Sequence, residues 1–155
     1  MFEIGDNIVY PMQGAGVIES IQEKEVQGET QQYFVIRLLI KKMEVMIPIS
    51  KMDNSRIRLV VDSKTLENVL NNFHNGESDR ILPYKERFKV NMEKMKTGNI
   101  EEGAEVVRDL MRIDKEKALN SSEKQMLGNA SKILISELGL IKGINENEAK
   151  ELLYG

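Results

Sequence analysis

Between Asp79 and Lys96 stand Arg80, Lys85, Arg87, Lys89, Lys94 and Lys96 against Asp79, Glu86 and Glu93, a local balance of +3 in a chain whose formal charge is −3. Ammonium and guanidinium groups gathered on one surface bind phosphate oxygens and release the counterions condensed on a nucleic acid. Such binding is salt-sensitive and largely blind to base sequence. On a helix, Lys85 and Lys89 lie one turn apart and share a face, while Phe88, Met92 and Met95 form the inward stripe. Lys124 and Lys132, further along, can extend the patch. Tyr84 heads the cluster, beside Pro83. An aromatic there either packs on its own domain or stacks on an unpaired base, where it can wedge a base step. A basic helix face is also an ordinary solvated surface, so both readings stand at this level.

Other chemistry is poorly provided for. The chain has no cysteine and one histidine, His74. Disulfides, thiolate metal sites, iron–sulfur clusters, cysteine nucleophiles and multi-histidine zinc sites are therefore excluded. Glu101-Glu102 and Glu146/Glu148 read as first-turn acids that complement helix dipoles. Gly14-Ala15-Gly16 lacks the third glycine and the following helix of a phosphate cradle, and reads as a turn or bulge. His74 follows an amphipathic stretch, where a basic side chain helps end a helix. The expectation is a protein with no catalytic residues, no metal and no cofactor.

The elements that must position these residues fall into two halves. From Phe2 to about Val61 the pattern is β-like: Asn7–Tyr10 closed by Pro11, then Val17–Val26, a Gln27-Gly28-Glu29 hairpin turn, Tyr33–Ile40, Val45–Ile49 with Pro48, and Arg56–Val61. Five short strands in so short a stretch predict a small, strongly curved sheet or open barrel. After Val61 the period becomes helical. Ser63 is placed to cap a helix with Leu66, Val69, Leu70 and Phe73 inward. A polar loop follows over His74–Ile81. Pro83 opens the basic helix, and Gly98 ends it. Asn99 and Glu102 have capping-box spacing before a helix with Ala104, Val107, Leu110 and Met111 inward. Ser121 or Ser122 begins a long helix that ends near Gly139 or Gly143, and Asn145–Leu153 can add a short terminal one. The fold class is α+β: a β-domain over residues 1–60 and an all-α domain of roughly four helices over residues 61–155.

The composition, 41% hydrophobic and 30% charged, is that of a globular protein. No apolar run approaches the ~20 residues of a membrane span. The opening MFEIGDN carries acids where a secretory signal carries basic residues. A cytoplasmic protein without a membrane partner is expected.

Gly5-Asp6-Asn7-Ile8-Val9-Tyr10-Pro11, followed by Gly14 and Gly16, resembles the opening of the CarD/CdnL family of bacterial transcription regulators. Tyr84–Leu110 resembles that family's helical domain, most specifically at Ala104–Leu110, as does Ser122–Leu127. The likeness runs from about Phe2 to Leu140, and its N-terminal part also resembles the polymerase-interacting module of the transcription-repair coupling factor. The resemblance implies a Tudor-like N-terminal barrel that binds the β subunit of RNA polymerase, and a helical domain that meets promoter DNA at the upstream edge of the transcription bubble. It implies a monomer associated with the nucleoid through the polymerase. Lys24 and Met46 match family positions used in polymerase contact, Met46 standing where one branch has arginine. Tyr84 stands where members typically carry a tryptophan that wedges the minor groove. Arg87, Lys89 and Lys124 match basic positions, Lys85 lies among them, and Glu86 replaces a basic one. The expected function is stabilisation of the open promoter complex. The rival is a protein–protein adaptor on the polymerase whose helices touch no DNA.

Overall fold

The computed structural model describes residues 1–155. Strands β1 (Asn7–Tyr10), β2 (Gly14–Val26), β3 (Glu29–Leu38), β4 (Met43–Pro48) and β5 (Arg58–Leu59) precede helices α1 (Ser63–Asn75), α2 (Tyr84–Thr97), α3 (Ile100–Glu116), α4 (Ser121–Lys142) and α5 (Glu146–Tyr154). A 3-10 helix over Ile49–Asn54 joins β4 to β5. The sheet is an antiparallel meander of order β4-β3-β2-β1-β5. No ladder joins β4 to β5, so the small barrel stays open.

The β2–β3 hairpin turns at Gln27 and Gly28, with φ of 53° and 81°. Two positive φ angles give the turn a twist that matches the flanking strands. Gly14-Ala15-Gly16 departs from the sequence expectation. These residues are buried and already lie in β2, paired with β1. The turn is at 11–13, where Met12 takes a φ of 70°. The bulge sits further along, between Ile18 and Ser20, and leaves Glu19 as the extra residue.

Side-chain alternation gives the sheet two faces. One carries Ile8, Ile18, Phe34, Ile36 and Leu38 into a core closed by Met52 and Ile57. The other carries Val9 and Ala15, paired across β1 and β2, and both are buried. Arg58 is the partner of Val9 on β5. This second face meets the helices: the Ala15 N–H donates to Ser136 Oγ at 3.1 Å. Arg58 donates through both terminal nitrogens to Glu137, each at 2.7 Å, and through Nε to the Gly98 carbonyl at 2.7 Å. Glu137 also accepts from the Val61 N–H at 3.2 Å. Gly98 caps α2 with φ 72°, and a Cβ there would lie 2.8 Å from Pro11 Cγ. A side chain at 98 would be strained in its own backbone and would push the sheet off the helices.

The helices share a second core around Leu66, Val106, Val107, Leu110 and Leu138. Burying each such side chain contributes about 1.5–3 kcal/mol before entropy is counted. Polar residues just before α1, α3, α4 and α5 set those helix starts. Asp62, not Ser63, caps α1 by accepting from Thr65 N–H, while α4 begins at Ser121 as expected, with Asn120 as its cap. The Thr65 hydrogen bonds hold the Asp62 carboxyl below its ordinary value. That cap is present above the unfolded carboxyl pKa and is lost as pH falls through the lower folded one. Asn99 accepts from Glu102 N–H, but the return half of the box is absent because the Glu102 carboxylate takes the Thr97 hydroxyl. The complete capping box belongs to Asn145 and Glu148 on α5.

Candidate nucleic-acid interface

Helix α2 turns at about 100° per residue, so its side chains divide into stripes. Lys85, Lys89 and Lys96 fall within about 40° of one another, on the shoulder that also holds Met92. All three lysines are exposed. Glu86 and Glu93 lie roughly 80–100° further round, on the outermost ridge. The basic cluster of the sequence is therefore not one face. Its lysine stripe borders α4, across a groove of about 260 Å³ whose lining includes Phe88, Met92, Gln125 and Asn129.

Arg87, expected as a phosphate contact, is turned away from that stripe. Its Nε and Nη2 donate to the two carboxylate oxygens of Glu123 at 2.7 and 2.6 Å, and Nη1 donates to the Leu82 carbonyl at 3.0 Å. Glu123 is completely buried. The hydrogen bond to Glu123 is also the main cause that raises the Arg87 pKa. A guanidinium with its fork occupied by a buried carboxylate has little left for a phosphate. Lys94 is likewise engaged, with Glu105 of α3 at 2.8 Å. Lys85 and Lys89 take part in none of the chain's ion pairs, and neither does Lys124. Lys124 is exposed one residue beyond Glu123 but does not line the α2–α4 groove.

Tyr84 is the first residue of α2, after Pro83 as N-cap. Its ring meets Phe88 edge-to-face, centroids 6.1 Å apart, and keeps 39% of its surface exposed. It neither seals into the core nor stands free. It leans on Phe88 at the end of the helix, next to Lys85.

On the sheet, Met46 of the edge strand β4 pairs with Val35, which pairs with Ser20 of β2. Lys24 lies four residues past Ser20, opposite Gln31. By alternation both are on the non-core face, about 13 Å apart along the strands. They share a face but not a contact. Met46 is half-buried against its neighbours and Lys24 is exposed on the hairpin. The same face, at β1 and β5, is the one that docks the helices.

Three residues that matter most to this arrangement are absent from the sequence expectations: Glu123, Glu137 and Arg58. A signal for the acids existed. Glu123, Met126, Ala130, Leu134 and Glu137 recur at helical spacing on the apolar stripe of α4. A carboxylate on that stripe must be buried, and a buried carboxylate needs a cationic partner.

The comparisons agree with this architecture. Residues 2–61 match the family model described as the CarD-like/TRCF RID domain, and residues 68–154 match that of the CarD C-terminal domain. The chain thus belongs to the CarD family of transcription regulators, with a Tudor-like RID domain followed by a helical domain. It is 62% identical over 150 residues to the Bacillus subtilis (strain 168) protein named "Putative transcription factor YdeB", covering 97% of this chain and 98% of that one. No helix is long and apolar enough to cross a membrane.

Proposed function

We propose that this protein binds the β subunit of RNA polymerase through the open face of its sheet, and that its helices stabilise the open promoter complex by contacting DNA at the upstream edge of the bubble without reading its sequence. The observation that carries the DNA contact is a half-exposed aromatic, Tyr84, beside unpaired lysines at the free end of α2. The edge strand β4, with Met46 and with Lys24 on the adjoining hairpin, supports the polymerase contact. Its outer row of backbone groups is unpaired in the sheet, and such an edge is a template for another strand. The sheet works as a tether that raises the local concentration of a weak DNA module. Only a preference for the opened junction over closed duplex shifts the equilibrium, by about 1.4 kcal/mol per tenfold preference. The protein acts in this reading as a monomer, without catalysis.

Two results are expected. Replacing Lys85 and Lys89 with alanine lowers the salt slope of binding to protein-free forked promoter DNA by about two, one per lost phosphate contact. An unchanged slope, read by fluorescence anisotropy, removes these lysines from the interface. Tyr84→Ala shortens open-complex lifetime and leaves polymerase binding intact, while costing about 1 kcal/mol of fold stability from the lost ring pair. A thermal melt that collapses instead makes Tyr84 a packing residue. The adaptor reading is favoured by one observation, the exposure of Ile81, just before α2, and of Val90 on the shoulder of α2 opposite the lysines. It prevails if promoter-complex lifetime does not respond to the protein while polymerase binding persists.

A further inference from the structure

The groove between α2 and α4 has a floor of thioethers and ring carbon: Phe88, Met92 and Met95 from α2, and Met126 from α4. Phe88 stands at the Tyr84 end, against the Tyr84 ring. Met12 closes the other end, brought there because Pro11 abuts Gly98 at the end of α2. Met12 is 40% exposed and holds a φ of 70°, a conformation uncommon outside glycine. An apolar side chain is thus kept in water at the mouth of the groove. Methionines are polarizable and adapt their shape, so this floor can take the flat face of a ring.

The α4 wall is polar and uncharged. Ser122, Gln125 and Asn129 lie within about 60° of one another on the helix, line the groove and are exposed. The side chains of α4 that hydrogen-bond within the chain are Glu123, Ser136 and Glu137. Both carboxamides therefore keep their donors and acceptor for a ligand. Outside this row α4 presents Ser121, Gly128 and Lys132, all exposed. The opposite border is the lysine shoulder of α2. Lys85, Lys89 and Lys132 take part in no ion pair. No acid lines the groove, and Glu86 and Glu93 stand beyond the lysines on the outer ridge of α2. A neutral slot therefore lies between two cationic borders.

That order of surfaces matches a nucleotide. Its phosphates put negative charge at the borders, while its base brings a flat apolar face to the methionines and a polar edge to the amides. From Phe88 to Met95 the slot runs about two turns of α2, or about 10 Å, shorter than a partner helix of ordinary length. We propose that the α2–α4 groove takes one unpaired base of the opened promoter, stacked over Met92 and Phe88 and bonded at its edge by Gln125 or Asn129, with flanking phosphates on Lys85, Lys89 and Lys132. A carboxamide can turn either end toward the base, so capture requires a base without choosing which. Closed duplex keeps its bases stacked and offers none. The groove thereby supplies the preference for the opened junction that lysines alone lack. The inference rests on the DNA contact proposed above and names what that contact grips.

The test is fluorescence anisotropy of the full chain on forked promoter DNA whose unpaired positions next to the junction are made abasic in turn. At one position, removing the base is expected to weaken wild-type binding about fivefold or more, the lower end for one stacked base. Gln125→Ala/Asn129→Ala changes only exposed helix positions, and a thermal melt checks its fold. It is expected to weaken binding to the intact fork about three- to tenfold and to lose little more when that base is removed, because base and amides act together. An abasic penalty of equal size in the two chains overturns the proposal and moves the base out of the groove. No penalty at any position overturns it too and, where Lys85→Ala/Lys89→Ala still weakens binding, leaves the phosphate contact standing. If the double variant keeps the fork but loses RNA polymerase holoenzyme free of DNA, the occupant is protein and the proposal falls. A wild-type chain that does not bind the fork overturns the DNA reading as well.

Discussion

Replacing Arg87 with alanine is expected to lower the unfolding free energy by about 3–5 kcal/mol, the range for removing one partner of a buried ion pair. The magnitude follows from what remains behind. Glu123 is fully buried, and both of its oxygens accept from the Arg87 fork. Without Arg87 it must stay charged in an apolar setting or take up a proton, and either route is costly. The Leu82 carbonyl loses its donor as well, so the segment entering α2 loosens. Urea titration is the measurement, and a second variant makes it specific. Arg87→Met combined with Glu123→Leu removes both charges together and is expected to recover most of the loss, since well-packed apolar replacements of buried pairs are often neutral. A single variant as stable as the parent would mean that water reaches Glu123 and that the pair is decorative. The functional corollary is that charge reversal at Arg87 cannot test DNA contact. It would dismantle the α2–α4 seam on which Tyr84, Lys85 and Lys89 depend.

The second large effect lies where sheet and helices meet. Arg58→Ala leaves Glu137 buried with only the Val61 N–H as donor, and strips the Gly98 carbonyl of its partner. The expected cost is about 3 kcal/mol, the lower end of the range for a broken buried pair, because Arg58 is a quarter exposed and water can replace part of it. Arg58→Lys restores charge but not the fork, so a partial recovery is expected. The link to function is geometric. Arg58 and Glu137 fix the turn after α2 against β5, and hence the direction in which α2 points from the sheet. Loss of this pair should therefore shorten promoter-complex lifetime more than it weakens polymerase binding. If both fall in proportion, the seam contributes stability alone.

Much of this was legible in the residues, and the omissions have physical causes. Hydrophobic period changes near Val61, so the β-half and the helical half separate on the page, and Gly98, Asn99 and Asn145 mark helix ends because their side chains or φ angles suit no other place. The cap of α1 falls on Asp62 instead of Ser63 because serine and aspartate compete for the same role. Gly14–Gly16 looked like a turn since glycine's freedom is visible in sequence and close strand pairing is not. The charged residues were the hardest to read. Arg87 and Lys89 are chemically similar cations two positions apart, yet one lies under a carboxylate of α4 and the other faces water. That distinction depends on Glu123, distant in sequence, and only helical phase on α4 hints at it. A linear count of basic residues therefore overstates the unpaired positive surface.

The lifetime of open promoter complexes, measured with purified polymerase after a competitor challenge, tests the central claim most directly. The wild-type chain is expected to lengthen it, and Lys85→Glu/Lys89→Glu, which leaves the Arg87 and Arg58 pairs intact, is expected to abolish that lengthening without loss of polymerase binding. A variant that prolongs the complex as well as the parent would contradict the account.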